Sequence, residues 1–339
     1  MKTDLFERIE TSLEEKRQTV IEFIETATEL EKQTCLGPDE NCLDTHLHVI
    51  DTSLEKIEQH SLGICEVCHE YVEASRLEMD YTACICLDHY SDEERRRLES
   101  ELELSQIVQR ALLPQQIPNI DGIELAAFSR PSEIIGGDYF DFFNYRDGAH
   151  GLIIADISGH GVSAGMLMSS LQTALRTMAP DTDTPSEILT RINRFYIHNI
   201  NFTTFITIFL ARFDPQTRIL TYVNAGHNPP VIYRKDTREY EWLTRTAPAI
   251  GLAEDFQPGT DSVTLNVGDA VLLYTDGVTE ALNVEMEQFG ANRLADLVAE
   301  YADRNMADIL QGVRQSVSQF SNHMPLEDDV TMIAMKVAG

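Results

Sequence analysis

Two sets of residues have types and spacings that suit chemistry. The first is a series of aspartates: Asp138 in "IGGDYFDFF", Asp156 in "LIIADISGHG", Asp276 in "LLYTDG", and the adjacent Asp328 and Asp329 in "EDDVTMIAM". Each stands at the end of an apolar run that reads as a buried strand. A carboxylate is rarely buried unless it is paired or holds a cation. Oxygen donors of this kind suit hard ions such as Mg²⁺ or Mn²⁺, which a few carboxylates and several waters hold. The glycines beside them (Gly136, Gly137, Gly159, Gly277) let the backbone turn sharply and approach a ligand. Any one of these aspartates could be an ordinary turn residue or cap. Four sites of the same pattern argue for a shared task.

The second set is in "GICEVCHEYVEASRLEMDYTACICLDHY". Here Cys65 and Cys68 form one pair, and Cys86 and His89 form a second of equal spacing. Two such knuckles can close a tetrahedral zinc site, which accepts thiolate and imidazole alike. Cys84 is a competing fourth ligand, and disulfide chemistry at Cys65–Cys68 or Cys84–Cys86 is the redox alternative. So short a segment has too little core to fold without a staple. Cys35 and Cys42, with His46 and His48, have no ligand spacing and read as ordinary residues of a helical hairpin.

The elements that must position these residues fall into two textures. Residues 3–32 carry a helical stripe (Leu5, Ile9, Leu13, Val20, Ile24, Ala27), "LGPDENCLD" reads as a turn, and a second helix runs from about Thr45 to His60. This gives a helical hairpin over residues 1–61, followed by the finger over 62–90. Ser91 and Glu94 have capping-box spacing and Pro114 marks a stop, so residues 91–113 read as a linker or switch helix. Its stripe of Leu98, Leu102, Ile107, Ala111 and Leu112 needs a partner surface. Beyond it, residues 114–339 change to short strands separated by turns. Helical runs lie at Val162–Met178, Thr184–Asn199 and Ala291–Phe320, an α+β pattern.

Charge narrows the function. The chain of 339 residues carries −30. Residues 1–113 hold 27 acids and 11 bases, so the excess is spread over both halves. No basic stripe suits a phosphate backbone, which argues against direct nucleic-acid binding. No apolar start region and no run of 18 apolar residues is present, so a soluble cytoplasmic protein without a membrane role is expected.

The ordered set "IGGDYFDFF", "IADISGHGVSA", "NAGHNPP", "LLYTDGVTEA" and "DDVTMIAM" resembles the metal-dependent serine/threonine phosphatases of the PPM type, and within them the SpoIIE-like branch. The resemblance covers about Leu98 to Val337. It implies an α-β-β-α sandwich with two Mn²⁺ or Mg²⁺ ions at one end of its paired sheets. Asp156 then bridges the ions, the carbonyl of Ile157 reaches one of them, and Asp138, Asp276 and Asp328, or the adjacent Asp329, complete the shell. Water activated between two such cations attacks phosphorus without a side-chain nucleophile. His160 and His227 are weaker candidates for a part in this chemistry. The finger resembles the DksA/TraR type, with His89 standing where cysteine is usual there.

These readings imply a protein phosphatase whose substrate is a phosphorylated regulatory protein, by family resemblance an anti-sigma-factor antagonist. The N-terminal zinc-finger region would regulate it, and two copies of the 91–113 helix would pair in a homodimer. The rival is a zinc-finger regulator that binds RNA polymerase through the acidic hairpin turn (Asp39, Glu40, Asp44) and keeps the phosphatase-like domain as a scaffold.

Overall fold

The structure, a computed structural model, describes residues 6, 9–11, 13, 14, 17, 18, 21, 42–79, 81–159, 161–199, 205–253, 255–324 and 328–338. The chain divides into two compact units, Met1–Ser100 and Glu101–Gly339.

In the first unit, the described residues between 6 and 21 are helical, and α1 (Cys42–Glu58) follows. Of the apolar stripe, Leu13 is buried with Ile50, Ile57 and Leu62, and Ile9 packs on them beside Phe6, while Leu5, Val20, Ile24 and Ala27 lie outside the described residues. Arg17 Nε donates to Asp51 Oδ1 at 2.6 Å beside this core. α1 starts at Cys42, inside the stretch read as a turn, and the acidic turn residues Asp39 and Glu40 lie outside the described residues. Short α2 (Ala74–Met79) sits within the finger, and α3 (Asp92–Leu112) leaves it. The expected capping box is present. Glu94 accepts from the Ser91 backbone at 2.9 Å, and the Glu94 N–H donates to Ser91 Oγ at 3.3 Å.

The second unit holds β1 (Ile123–Arg130), β2 (Tyr139–Asn144), β3 (His150–Ile157), α4 (Gly161–Met178), α5 (Pro185–Asn199), β4 (Ile206–Asp214), β5 (Ile219–Ala225), β6 (Val231–Arg234), β7 (Glu239–Trp242), β8 (Asp261–Thr264), β9 (Ala270–Tyr274), the single turn α6 (Asp276–Thr279), α7 (Ala291–Tyr301), α8 (Met306–Phe320) and β10 (Val330–Val337). Two antiparallel five-stranded sheets result, ordered β1-β10-β9-β6-β7 and β2-β3-β4-β5-β8. Alternation along the strands builds the layers. Leu152 and Ile154 join Leu273, Ile333 and Met335 between the sheets. Ile153 and Ala155 face the opposite way, onto Met168, Leu171, Ile188 and Ile192 of α4 and α5. Leu272, Met332 and Ala334 likewise meet Leu294, Val298, Leu310 and Val313 of α7 and α8. The α-β-β-α sandwich follows directly from that period-2 pattern.

Three expectations need adjustment. The single helical run expected over Ala291–Phe320 is two helices, because the Asn305 side chain accepts from the Asp308 N–H and caps a new start. Strands β7 and β8, "EYEW" and "DSVT", lack an apolar alternation and are mostly exposed, so the pattern gave no sign of them. On α3, Leu102 and Leu112 are half-buried, whereas Leu104, Ile107 and Val108 are 61%, 63% and 54% exposed.

Candidate metal centres

One end of the sandwich gathers acids from both sheets. Tyr139 pairs with Ala155, which places Asp138 beside Asp156 where β2 begins and β3 ends. From the other sheet, β9 runs into Asp276 at the start of α6, and Asp328 and Asp329 lead into β10, the strand that pairs with β9. Thr275 joins the two sheets. Its hydroxyl donates to Asp138 Oδ2 at 2.8 Å and accepts the Thr331 N–H at 2.9 Å.

The charges there repel one another. Burial, followed by the charges of Asp276, Asp328, Asp329 and Glu280, pushes the Asp156 carboxyl up to about 7. Burial and the charges of Asp328 and Glu280 raise Asp276 to about 6. Burial, with Asp156 and Asp329, raises Asp138 well above the usual carboxylate range. Among the described residues, no Lys or Arg forms an ion pair with Asp138, Asp156 or Asp276. Such a group is stable as carboxylates only with cations between them, and its all-oxygen chemistry fits Mg²⁺ or Mn²⁺.

The adjacent pair Asp328 and Asp329 divides by environment. Asp329 is buried, and four donors of the loop before β2 hold it. Ser132 N–H and Oγ reach Oδ1 at 2.8 and 3.1 Å, while the Gly137 and Asp138 N–H groups reach Oδ2 at 2.7 and 3.3 Å. Asp328 is exposed. Two glycines make this clamp possible. A Cβ on Gly136 would stand 2.4 Å from Asp329 Oδ2, and one on Gly277 would stand 2.1 Å from the Asp329 carbonyl oxygen. Gly137 has the same role toward the Ile157 carbonyl, which a Cβ would approach to 2.9 Å. Ile157 is thereby placed against the loop that carries Asp138.

Several site residues were not singled out from the sequence. The buried Gln109 of α3 donates from Nε2 to the Gly136 carbonyl at 2.6 Å and accepts the Gly136 N–H at 3.2 Å. Gln106, one turn earlier, donates to the Ile134 carbonyl at 2.8 Å. Their three-residue spacing on the switch helix was the available signal. Glu280 and Thr275 flank Asp276 inside the quoted "YTDGVTEA" stretch. His227 is buried. Its Nδ1 lies 2.8 Å from Thr207 Oγ1, its Nε2 lies toward the Tyr274 carbonyl without a hydrogen bond, and burial lowers it to about 4. That setting is a core histidine held neutral. His160 lies outside the described residues.

In the first unit, Cys65, Cys68, Cys86 and His89 offer ligand atoms that all lie within 4.8 Å of one another. Cys68 Sγ and Cys86 Sγ are 3.8 Å apart, about the edge that zinc–sulfur bonds of roughly 2.3 Å make in a tetrahedron. Cys84 is not in the group. Burial, then its contact with Glu66, raises its thiol. Burial raises the Cys65 thiol, but the N–H groups of Cys68, Cys86 and Val67 outweigh it and bring it down to about 6, a thiolate setting. The Cys86 N–H lies 3.3 Å from Cys65 Sγ. Val72, Leu77 and Ala83 complete a core too small to hold the segment alone. Cys35 and the side chains of Cys42 and His46 lie outside the described residues, and His48 is exposed.

Comparison with known proteins places this geometry. The family model of stage II sporulation protein E (SpoIIE) matches residues 146–338, more than half of the chain. Phosphoserine phosphatase RsbU of Bacillus subtilis (strain 168) is 26% identical over 242 residues, 71% of this chain and 71% of RsbU. Phosphoserine phosphatase RsbP of the same organism is 26% identical over 242 residues, 70% of this chain and 58% of RsbP. Among solved structures, the SiaA-PP2C domain of Pseudomonas aeruginosa has a TM-score of 0.64 at 20% identity, over 72% of this chain and 98% of that one. The RsbU and RsbW domains of Rv1364c from Mycobacterium tuberculosis give 0.56 at 29% identity, over 67% and 63%. The chain belongs to the SpoIIE family and carries a PP2C-type serine/threonine phosphatase domain.

Proposed function

We propose that the chain removes phosphate from phosphoserine or phosphothreonine on a regulatory protein partner, possessing a two-cation centre of Mn²⁺ or Mg²⁺. The observation that carries this reading is the convergence of Asp138, Asp156 and Asp276, mutually repelling with Asp328 beside them, where no Lys or Arg among the described residues pairs with the first three. Asp156, at the centre of those repulsions, would be shared by the cations, with the Ile157 carbonyl as a further donor beside it. Asp329 serves as the clamp that positions the Asp138 loop. When bound, the two cations activate water at neutral pH and neutralise phosphoryl oxygens. The chain's own part is to gather the carboxylates at one end of the sheets, fix the loop through Asp329 and Gln109, and leave the Asp328 side exposed to a protein substrate. RsbU and RsbP bear the name phosphoserine phosphatase, which supports phosphoserine as the group attacked; the resemblance to the SpoIIE-like branch points to a protein partner of the anti-sigma-factor antagonist kind as its carrier.

The same reading assigns one structural zinc to Cys65, Cys68, Cys86 and His89, and gives regulation to the region it staples. The exposed seam of Leu104, Ile107 and Val108 supports a homodimer through α3, since such a stripe on a helix needs cover. Ile107→Asp then yields monomers by light scattering.

Hydrolysis of an aryl phosphate, with Mn²⁺ added and then withheld by chelation, tests the catalytic reading. Turnover that depends on the metal supports it, and no turnover at saturating Mn²⁺ and Mg²⁺ overturns it.

A further inference from the structure

A groove of about 820 Å³ lies between α8 and β1. Its upper end is lined by Val278 and Val330, which follow the acidic site residues Asp276 and Asp329, so it starts beside the metal centre. Ala126 and Phe128 of β1 face α8, whereas Ala127 faces the core between the sheets. The groove therefore reaches over the outer edge of β1, an edge strand with no further strand partner among the described residues. Such an edge offers free backbone donors and acceptors to an extended peptide.

Its charge is unlike the rest of the chain. Asp and Glu make up 56 of 339 residues, yet none of the 19 lining residues is acidic. Two are arginines. Arg130 is exposed at the end of β1, and Arg314 is exposed with its guanidinium 3.8 Å over the Phe128 ring. A ring face beneath Arg314 fixes the cation without neutralising it. His323, whose Nδ1 meets Ser318 Oγ at 2.8 Å, completes the polar rim.

We propose that this groove docks an extended, acidic segment of the phosphoprotein substrate, with carboxylates on Arg130 and Arg314 and the phosphoserine at the Asp328 end. The proposal rests on the phosphatase reading above. It explains how a strongly acidic enzyme holds an acidic protein: a groove with two arginines and no acidic lining residue is a favourable seat on such a chain, and charge selects the partner and its register.

The test uses two phosphoserine peptides, identical except that glutamates beside the phosphoserine in one are glutamines in the other. Wild-type kcat/KM should favour the glutamate peptide by about fivefold at low salt, as expected from two exposed ion pairs. Arg130→Gln and Arg314→Gln should each reduce that ratio, and the double variant should bring it to about one. Because the ratio compares two peptides on one sample, partial unfolding of a variant does not imitate the effect. A wild-type ratio of one or below, or a double variant that keeps the wild-type ratio, overturns the groove. Wild-type hydrolysis of an aryl phosphate with Mn²⁺, run beside it, tells that failure apart from failure of the phosphatase reading.

Discussion

Gln109 on α3 holds both the carbonyl and the N–H of Gly136 through one side-chain amide. The helix that leaves the finger is thereby tied to the loop carrying Asp138, and α3 can set the loop's position. Gln109→Ala removes two hydrogen bonds worth about 1 kcal/mol each. Turnover of an aryl phosphate should drop about tenfold while the melting temperature moves only a few degrees. Steady-state kinetics and thermal unfolding on the same preparation check this, and unchanged turnover would rule out the coupling.

Asp156→Asn should abolish detectable turnover, because the carboxylate proposed to be shared by the two cations loses its charge. It should also raise the melting temperature of the metal-free protein, since the variant removes a carboxylate that Asp276, Asp328, Asp329 and Glu280 all oppose. Calorimetry in chelator reads the second effect. A site assembled only for structure predicts the reverse.

The pair Asp328 and Asp329 should separate by readout. Asp329→Ala leaves four loop donors without their acceptor, and at about 1–3 kcal/mol for a buried loss of this kind it should lower the melting temperature strongly. Asp328→Ala, which removes a charge opposed to Asp156 and Asp276, should not lower the melting temperature of the metal-free protein and should raise the Mn²⁺ concentration needed for half-maximal turnover at least tenfold.

Metal-free stability should fall as pH rises from about 4 to about 7. Asp156 and Asp276 titrate at about 7 and 6 in the folded chain and near 4 when unfolded. Within that window the native state binds more protons than the unfolded state, so the slope of stability against pH is negative. Saturating Mn²⁺ should flatten the slope, which denaturant melts at several pH values will show.

For the finger, metal analysis should find about one zinc per chain. Cys65→Ser and His89→Ala should each lose it, while Cys84→Ser should keep it, as Cys84 lies outside the ligand group. The opposite pattern for His89 and Cys84 would replace the fourth ligand.

The strands that carry the acids were legible because each is a short continuous apolar run ending in a charge, as "LIIAD" and "AVLLYTD" are, the pattern of a strand buried on both faces. The knuckle spacing was legible because tetrahedral ligation needs two short pairs. The division of labour between Asp328 and Asp329 was not, since it depends on which one meets the N–H groups of Ser132 and Gly137, almost two hundred residues away in the chain. Gln109 escaped notice for a related reason. A buried amide in a charged helix looks like a surface residue until a loop carbonyl is placed against it. Strands β7 and β8 sit at sheet edges, where little side-chain burial is needed and the pattern fades.

Asp138 and Asp156 ride on one sheet, and Asp276 and Asp328 ride on the other. The spacing between these two pairs is therefore a gauge of how the layers are aligned. A small shear of one sheet over its neighbour would change every carboxylate separation across the seam while leaving each sheet intact. Asp329 is the detent in that gauge: it grows from one layer and grips the loop that begins the other, so any such shear would first have to break its four hydrogen bonds.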